Sequence, residues 1–130
     1  MPTFSAKSLA HLETCHPLLQ QVFQVVIAHI DCTVLEGRRT IEQQAENVRK
    51  GVSQTMDSKH LHDPSLAVDV APYPIDWQNR ERFVYFGGMV LGVAAVLGVT
   101  LRWGGDWNRN HDLKDQRFMD LPHFELVAPQ

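Results

Sequence analysis

An unbroken uncharged run from Phe83 to Leu101, bracketed by Arg82 and Arg102, constrains this chain more than any other segment. A membrane-spanning helix needs about 20 apolar residues, so the run is either nearly a span or the buried centre of a folded domain. Four glycines, Gly87, Gly88, Gly92 and Gly98, lower its hydrophobicity and suit close helix packing. The run also divides. Arg82 to Leu97 reads as a helix, with Gly98 as its stop. Val99-Thr-Leu-Arg-Trp103 then alternates as a strand does. This division favours a buried core helix over stable membrane insertion.

The rest of the chain supplies partners for that helix. Ser5 or Ser8 can cap a short first helix carrying Leu9 and Leu12. Pro17 suits the first turn of a second helix. There Leu18, Leu19, Val22, Phe23, Val26, Ile27 and Ile30 form an apolar stripe at helical spacing. Cys32-Thr-Val-Leu-Glu36 is β-rich and reads as a strand. Thr40 can cap a third helix running through Gln44 and Val48 and ended by Gly51. Ala67-Val-Asp-Val-Ala71 alternates, with Asp69 on one face and Val68 and Val70 on the other; Pro72 and Pro74 stop it. Asp76 to Glu81 opens the long apolar helix, and His123-Phe-Glu-Leu-Val127 is the last strand. Helices and strands mix without a repeating βαβ pattern, which predicts an α+β fold with an antiparallel sheet and packed helices.

At 130 residues the chain is expected to form one domain spanning residues 1–130. The formal charge of −3, with no basic block, gives no surface for nucleic acid. Cys15 and Cys32 pair at most once, so free thiols and intracellular folding are expected. The first residues lack the basic-then-apolar layout of a secretory signal.

Chemistry is concentrated in two stretches. The first is Ser58-Lys-His60-Leu-His-Asp-Pro-Ser-Leu-Ala67-Val-Asp69, and the second is Asp120-Leu-Pro-His123-Phe-Glu125. Two imidazoles and a carboxylate, from His60, Asp69 and His123, make a three-ligand Zn2+ site that leaves a fourth position open. Asp120 lies close to the last ligand and suits a general base. Leu121 precedes Pro122, which disfavours helical backbone, so a bend must bring Asp120 and His123 together. Glu125 shares the strand face of His123 and suits the carboxylate that orients a metal-bound imidazole. The other histidines, His11, His16, His29, His62 and His111, read as solvent or core residues.

Ser58-Lys-His60, Ala67-Val-Asp69, Trp103-Gly-Gly-Asp106-Trp107 and Asp120-Leu-Pro-His123-Phe-Glu125, in this order, resemble the zinc peptidases of the D-Ala-D-Ala carboxypeptidase and L-alanyl-D-glutamate endopeptidase superfamily, which includes phage endolysins. Glu36-Gly-Arg-Arg39-Thr-Ile-Glu-Gln-Gln44 resembles its upstream arginine motif. The resemblance covers residues 30 to 127. It departs from the family in one place: His60 stands two residues further from Asp69 than is usual, and the intervening Gly is absent. His62 has the usual spacing, whereas His60 has the preceding Ser-x-His; His60 is preferred, with Asp63-Pro64-Ser65 as a longer surface turn.

The resemblance implies the hedgehog/DD-peptidase-like zinc peptidase fold. It implies Asp120 as the base that takes a proton from the attacking water and passes it to the leaving amine. It implies Arg39, rather than the adjacent Arg38, as the cation that stabilises the oxyanion or holds a substrate carboxylate. Ser58, Trp103 and Asp106 are candidates for contact with substrate. The expected activity is cleavage of the peptidoglycan stem peptide, first between L-Ala and D-Glu, by a monomeric endolysin. Such a protein is made in the host cytoplasm and acts on the wall once the membrane is breached. The rivals are a D-Ala-D-Ala carboxypeptidase, a non-enzymatic zinc-containing wall-binding domain, and a membrane-embedded lysis partner.

Overall fold

Each helix begins where a side chain caps it. In the computed structural model, which describes residues 1–53 and 55–127, α1 (Ala6–Leu12) is capped by Ser5, whose Oγ accepts from Ser8 N at 3.1 Å. Ser8 is not the cap. It is buried and its Oγ accepts from Val34 N at 3.1 Å, tying α1 to the first strand. α2 (Pro17–His29) is capped by His16, with Pro17 in its first turn. α3 (Ile41–Arg49) starts with a reciprocal capping box between Thr40 and Gln43. α4 (Arg80–Leu97) is capped by Asn79 and ends at Gly98, whose φ of 75° is the left-handed conformation that glycine adopts without strain.

Among the described residues four strands, β1 (Cys32–Glu36), β2 (Ala67–Pro72), β3 (Leu101–Trp103) and β4 (His123–Leu126), form one antiparallel sheet in the order β1-β2-β4-β3. This is the expected α+β class. Strand alternation gives the sheet two unlike faces. One face carries Val68, Val70, Phe124 and Trp103 and packs against α4, which itself packs on α2. Phe124 sits at the centre, with the rings of Phe23 and Phe86 edge-on to it at 5.5 and 6.1 Å. Three buried aromatic rings of this kind contribute on the order of several kcal/mol through burial alone.

The apolar stripe of α2 is buried from Leu19 to Ile27, but Leu18 is 41% exposed because it lies in the first turn, at the rim of the packed face. The long uncharged run is a core helix followed by a strand. Among the described residues no helix is long and apolar enough to cross a membrane. Of the glycines in α4 only Gly87 makes a close approach: a Cβ there would stand 2.4 Å from the Trp103 ring. Gly88 and Gly92 face open space.

Candidate active site

The second face of the sheet holds the chemistry. Asp69 on β2 and His123 on β4 are direct cross-strand partners, as are Ala67 and Glu125. The bend predicted between Asp120 and His123 is a hydrogen-bonded turn, with His123 N donating to Asp120 O at 3.0 Å. It folds Asp120 back over the strand end. Leu35 is the extra residue of a bulge in β1, so Glu36 rather than Leu35 stands opposite Asp69.

His60 arrives from a different direction. It lies in a single 3-10 turn, Lys59–Leu61, capped by Ser58, whose Oγ accepts from His60 N at 3.2 Å. The side chain is 2% exposed. Its Nδ1 is 2.7 Å from the carbonyl of Gly37. Gly37 has no room for a side chain, since a Cβ would stand 2.2 Å from Thr14 Oγ1. A carbonyl only accepts, so His60 Nδ1 carries the proton and Nε2 offers a lone pair. That Nε2 is buried without a hydrogen-bond donor and lies 3.2 Å from Asp69 Oδ1.

His123 repeats the pattern in mirror fashion. Its Nε2 is 2.9 Å from Glu125 Oε1, and its Nδ1 is 3.3 Å from Asp69 Oδ1. His60, Asp69 and His123 each offer one ligand atom, all within 4.8 Å of one another. Three acceptors thus converge with no donor between them, an arrangement that a cation satisfies. The opposite nitrogens are already committed to a carbonyl and a carboxylate, the orientation a metal-binding histidine requires. The donor set of two imidazoles and one carboxylate fits zinc.

The electrostatics show how strongly this place attracts positive charge. Burial favours a neutral Asp69, but the imidazoles of His123 and His60 against its Oδ1 overcome it and hold the carboxyl far below the usual range. Burial likewise opposes charge on His123, yet the carboxylates of Asp69 and Glu125 on either side push it up to about 9, so a proton competes with a cation for its Nδ1. Glu125 is itself held below the usual range against its burial by His123 and Lys59; Lys59 Nζ and Arg102 Nη1 lie 3.1 and 3.4 Å from its Oε2. Asp120 moves the other way. Burial first, and then the charge of Asp69, raise its carboxyl above the usual range. A raised carboxylate is a better proton acceptor near neutral pH.

These groups open into a cleft of about 830 Å³, bordered by Arg39, Ser58, His60, Trp107, Asp120 and His123 among others. Arg39 is on the cleft wall, paired with Glu36 and bonded through Nη1 to Gln44 Oε1 at 2.5 Å. The buried Gln44 donates in turn to Ser53 Oγ and Thr55 O. Trp107 lays its ring against His123 at 5.3 Å. Arg38 is exposed and its nearest acid is Asp63, at 4.0 Å.

Three sequence expectations change. Trp103 does not border the cleft: its ring is buried against Gly87 and Gly105, and its Nε1 donates to Leu121 O at 2.7 Å. Asp106 is 5% exposed and its carboxylate is consumed by Asn110 N, His111 N and Gln116 Nε2, so it shapes a loop. Ser65 is not at the surface. It is fully buried and hydrogen-bonded to Thr14 and His16 through its backbone. His62 is exposed on the cleft rim, away from Asp69. Sequence reasoning missed Gly37, Gln44 and the Lys59/Arg102 pair. Gly37 and Gln44 lie inside the arginine motif and Lys59 inside the motif around His60, so a signal existed for these three; Arg102 had none.

Comparison with known proteins places this geometry. The sequence profile of the phage L-alanyl-D-glutamate peptidase family matches residues 2–127. The chain is 35% identical to the L-alanyl-D-glutamate peptidase of Escherichia phage T5, covering 95% of this chain and 97% of that protein. It is 33% identical to the L-alanyl-D-glutamate peptidase of Listeria phage A118, covering 75% of this chain and 31% of that longer protein. Among solved structures, the Serratia marcescens L-Ala D-Glu endopeptidase ChiX superposes with a TM-score of 0.77 at 32% identity, over 95% of this chain and 89% of that one. The vancomycin-resistance D,D-pentapeptidase VanY, solved in complex with Zn(II), shares the fold at 18% identity and a TM-score of 0.51, over 86% and 70% of the two chains. A profile match over nearly the whole length, carried by a chain that gathers His60, Asp69 and His123 beside Asp120, means that this protein belongs to the phage L-alanyl-D-glutamate peptidase family.

Proposed function

We propose that the chain is a zinc peptidase that hydrolyses the L-Ala–D-Glu bond in the stem peptide of bacterial peptidoglycan, acting on the cell wall as an endolysin. The observation that carries this is the convergence of His60 Nε2, Asp69 and His123 Nδ1 beside a carboxyl, Asp120, whose proton affinity is raised. Residues 1–130 act as one catalytic domain and as a monomer.

His60, Asp69 and His123 hold the metal. Zinc, when bound, polarises a carbonyl and lowers the pKa of water to roughly 7. Gly37 and Glu125 fix the orientation of the two imidazoles, so the site is formed before substrate arrives. Asp120 accepts a proton from the attacking water and delivers it to the leaving nitrogen. Its turn with His123 keeps it beside the reacting centre. Arg39, braced by Glu36 and Gln44, presents positive charge to the oxygen that becomes negative or to a carboxylate of the stem. Ser58 borders the same cleft and can contact the peptide.

The wall-binding alternative leaves Asp120 without a purpose, since binding does not require a base. The D-Ala-D-Ala carboxypeptidase alternative rests on a likeness of fold, whereas the 32–35% identical relatives are all named for the L-Ala–D-Glu bond. Mass spectrometry of wall fragments after digestion decides the matter. New peptide N-termini at D-Glu are expected. Release of terminal D-Ala, or intact stems after incubation with zinc-loaded protein, would overturn the reading.

A further inference from the structure

Asp120 borders two hollows. Besides the catalytic cleft it lines a groove of about 450 Å³ walled by Trp77, Arg80, Phe83, Met119, Leu121 and Pro122. The segment 118–123 is the partition. Phe118 and His123 face the cleft, Met119, Leu121 and Pro122 face the groove, and Asp120 serves both. Asp120 is thus the residue at which the two hollows meet.

The two linings differ in chemistry. Around the cleft stand Arg39, Asn47, Ser53, Thr55 and Ser58, charged and hydrogen-bonding groups suited to a peptide rich in amides and carboxylates, beside the apolar Val52 and the stacked Trp107 and Phe118. The groove is aromatic and apolar, with one cation at its edge. Trp77 is 59% exposed, yet its ring is stacked on Phe83 at 5.3 Å and 20°. One face is pinned and the other is open. The turn that carries it is fixed, with Gln78 N donating to Asp76 Oδ1 at 3.0 Å and Asn79 N to Asp76 O at 3.1 Å. The indole is a preorganised platform, which binds with little ordering cost.

The inference rests on the peptidase reading above. On one side of the L-Ala–D-Glu bond the stem continues as a carboxylate-bearing peptide. On the other, a single alanine joins it to the lactyl ether of an N-acetylated amino sugar. The cleft, with Arg39 and its hydrogen-bonding groups, suits the first side, and the groove, which lacks such groups apart from Arg80 and Asp120, suits the second. We infer that the Trp77 groove is a subsite for the amino-sugar ring that carries the stem. The C–H face of the ring stacks on the open indole, and Arg80 donates to its hydroxyl or acetamido oxygens. The enzyme would then recognise the junction of glycan and peptide rather than the dipeptide alone.

The test compares two substrates, a soluble disaccharide-linked stem peptide and the same peptide without sugar, with zinc-loaded protein and its Trp77→Ala, Trp77→Phe and Arg80→Ala variants. Wild type should prefer the sugar-linked substrate. Trp77→Ala should lower kcat/KM on that substrate about fivefold to tenfold, the size of one aromatic stacking contact, and leave the free peptide within about twofold. Trp77→Phe should recover part of the loss, and Arg80→Ala should show the same substrate-selective decline. Equal losses on both substrates would make Trp77 a structural or peptide-contacting residue and overturn the subsite. Unchanged rates on both, or a wild type indifferent to the sugar, would overturn it as well. A wild type that cleaves neither substrate would instead refute the peptidase reading, and the subsite with it.

Discussion

Asp69 and His123 face each other as partners across β2 and β4, with Asp69 Oδ1 3.3 Å from His123 Nδ1. Two of the three proposed metal ligands are therefore a property of strand register. A slip of one residue would turn Asp69 into the core and bring Val68 or Val70 to the cleft. Only His60 depends on a loop.

Metal content should separate the candidates around this pair. His60→Ala, Asp69→Ala and His123→Ala should each abolish stoichiometric zinc, whereas His62→Ala should keep it, because His62 is on the rim. Glu125→Gln should weaken zinc affinity about 10–100-fold, the usual effect of disturbing the partner of a ligating imidazole. Zinc retained by His60→Ala and lost from His62→Ala would relocate the site.

Asp120→Asn should reduce hydrolysis about a hundredfold to ten-thousandfold while leaving zinc bound. Arg39→Ala should also slow turnover without releasing metal, since its side chain bonds Glu36 and Gln44, and its one contact with a ligand, Arg39 N donating to His60 O at 2.7 Å, runs through the backbone and survives the substitution. Each variant needs two readings, zinc by mass spectrometry and rate of stem cleavage. An Asp120→Asn protein that works at the parent rate would remove the base from the mechanism; one that has lost zinc would make Asp120 a ligand.

The glycines of α4 should behave oppositely when replaced by alanine. Gly87→Ala drives a methyl into the Trp103 ring and should cost about 1–3 kcal/mol. Gly88→Ala and Gly92→Ala meet nothing within 4 Å and should stabilise by about 0.5–1 kcal/mol through helix propensity. Urea midpoints with an unchanged m-value would measure both. Equal effects at all three positions would mean that α4 does not seat on β3 as described.

Both thiols are free, with burial pushing Cys15 up to about 11 and Cys32 up to about 12. Their folded values are raised, so the native state holds these protons more tightly than the unfolded chain. Their contribution to stability is fully present below about pH 9 and is lost as the pH climbs toward 11–12. By about pH 10 the loss should be on the order of 1 kcal/mol per thiol. Denaturation at about pH 8 and pH 10 should show it, and Cys32→Ala should reduce the difference. The same burial should make alkylation of the native protein slow. Rapid labelling at neutral pH would contradict it.

Much of this fold was legible because its signals are local. Thr40 with Gln43, Pro17 after His16, and Gly98 after Leu97 act within one helical turn, so neighbouring residues declare them. The alternation of Asp69 with Val68 and Val70 told which face was polar before any partner strand was known. Other features lay beyond sequence because they depend on contacts between distant segments. The bulge at Leu35 turns Glu36 toward Arg39. The Gly37 carbonyl selects the His60 tautomer from 23 positions away. Trp103 and Asp106 sit in a motif rich in functional residue types, yet one fills the space above Gly87 and the other knits a loop. The choice of His60 over His62 rests on the preceding Ser58, which caps the turn that holds His60, whereas the inward pull on Ser65 by Thr14 and His16 had no local signal.

Gly104 closes a ring in the chain. Its N–H donates to His123 O and its carbonyl accepts from Asp120 N, both at 2.8 Å, and a side chain there would strike the Asp120 carbonyl. The segment between Gly105 and Met119 is thereby pinched off at its neck. Trp107 and Gly105, at its base, still reach back to His123 and Trp103. The outer residues 108–117 are the part that evolution or an engineer can exchange, altering the approach to the cleft while the reacting groups stay in register.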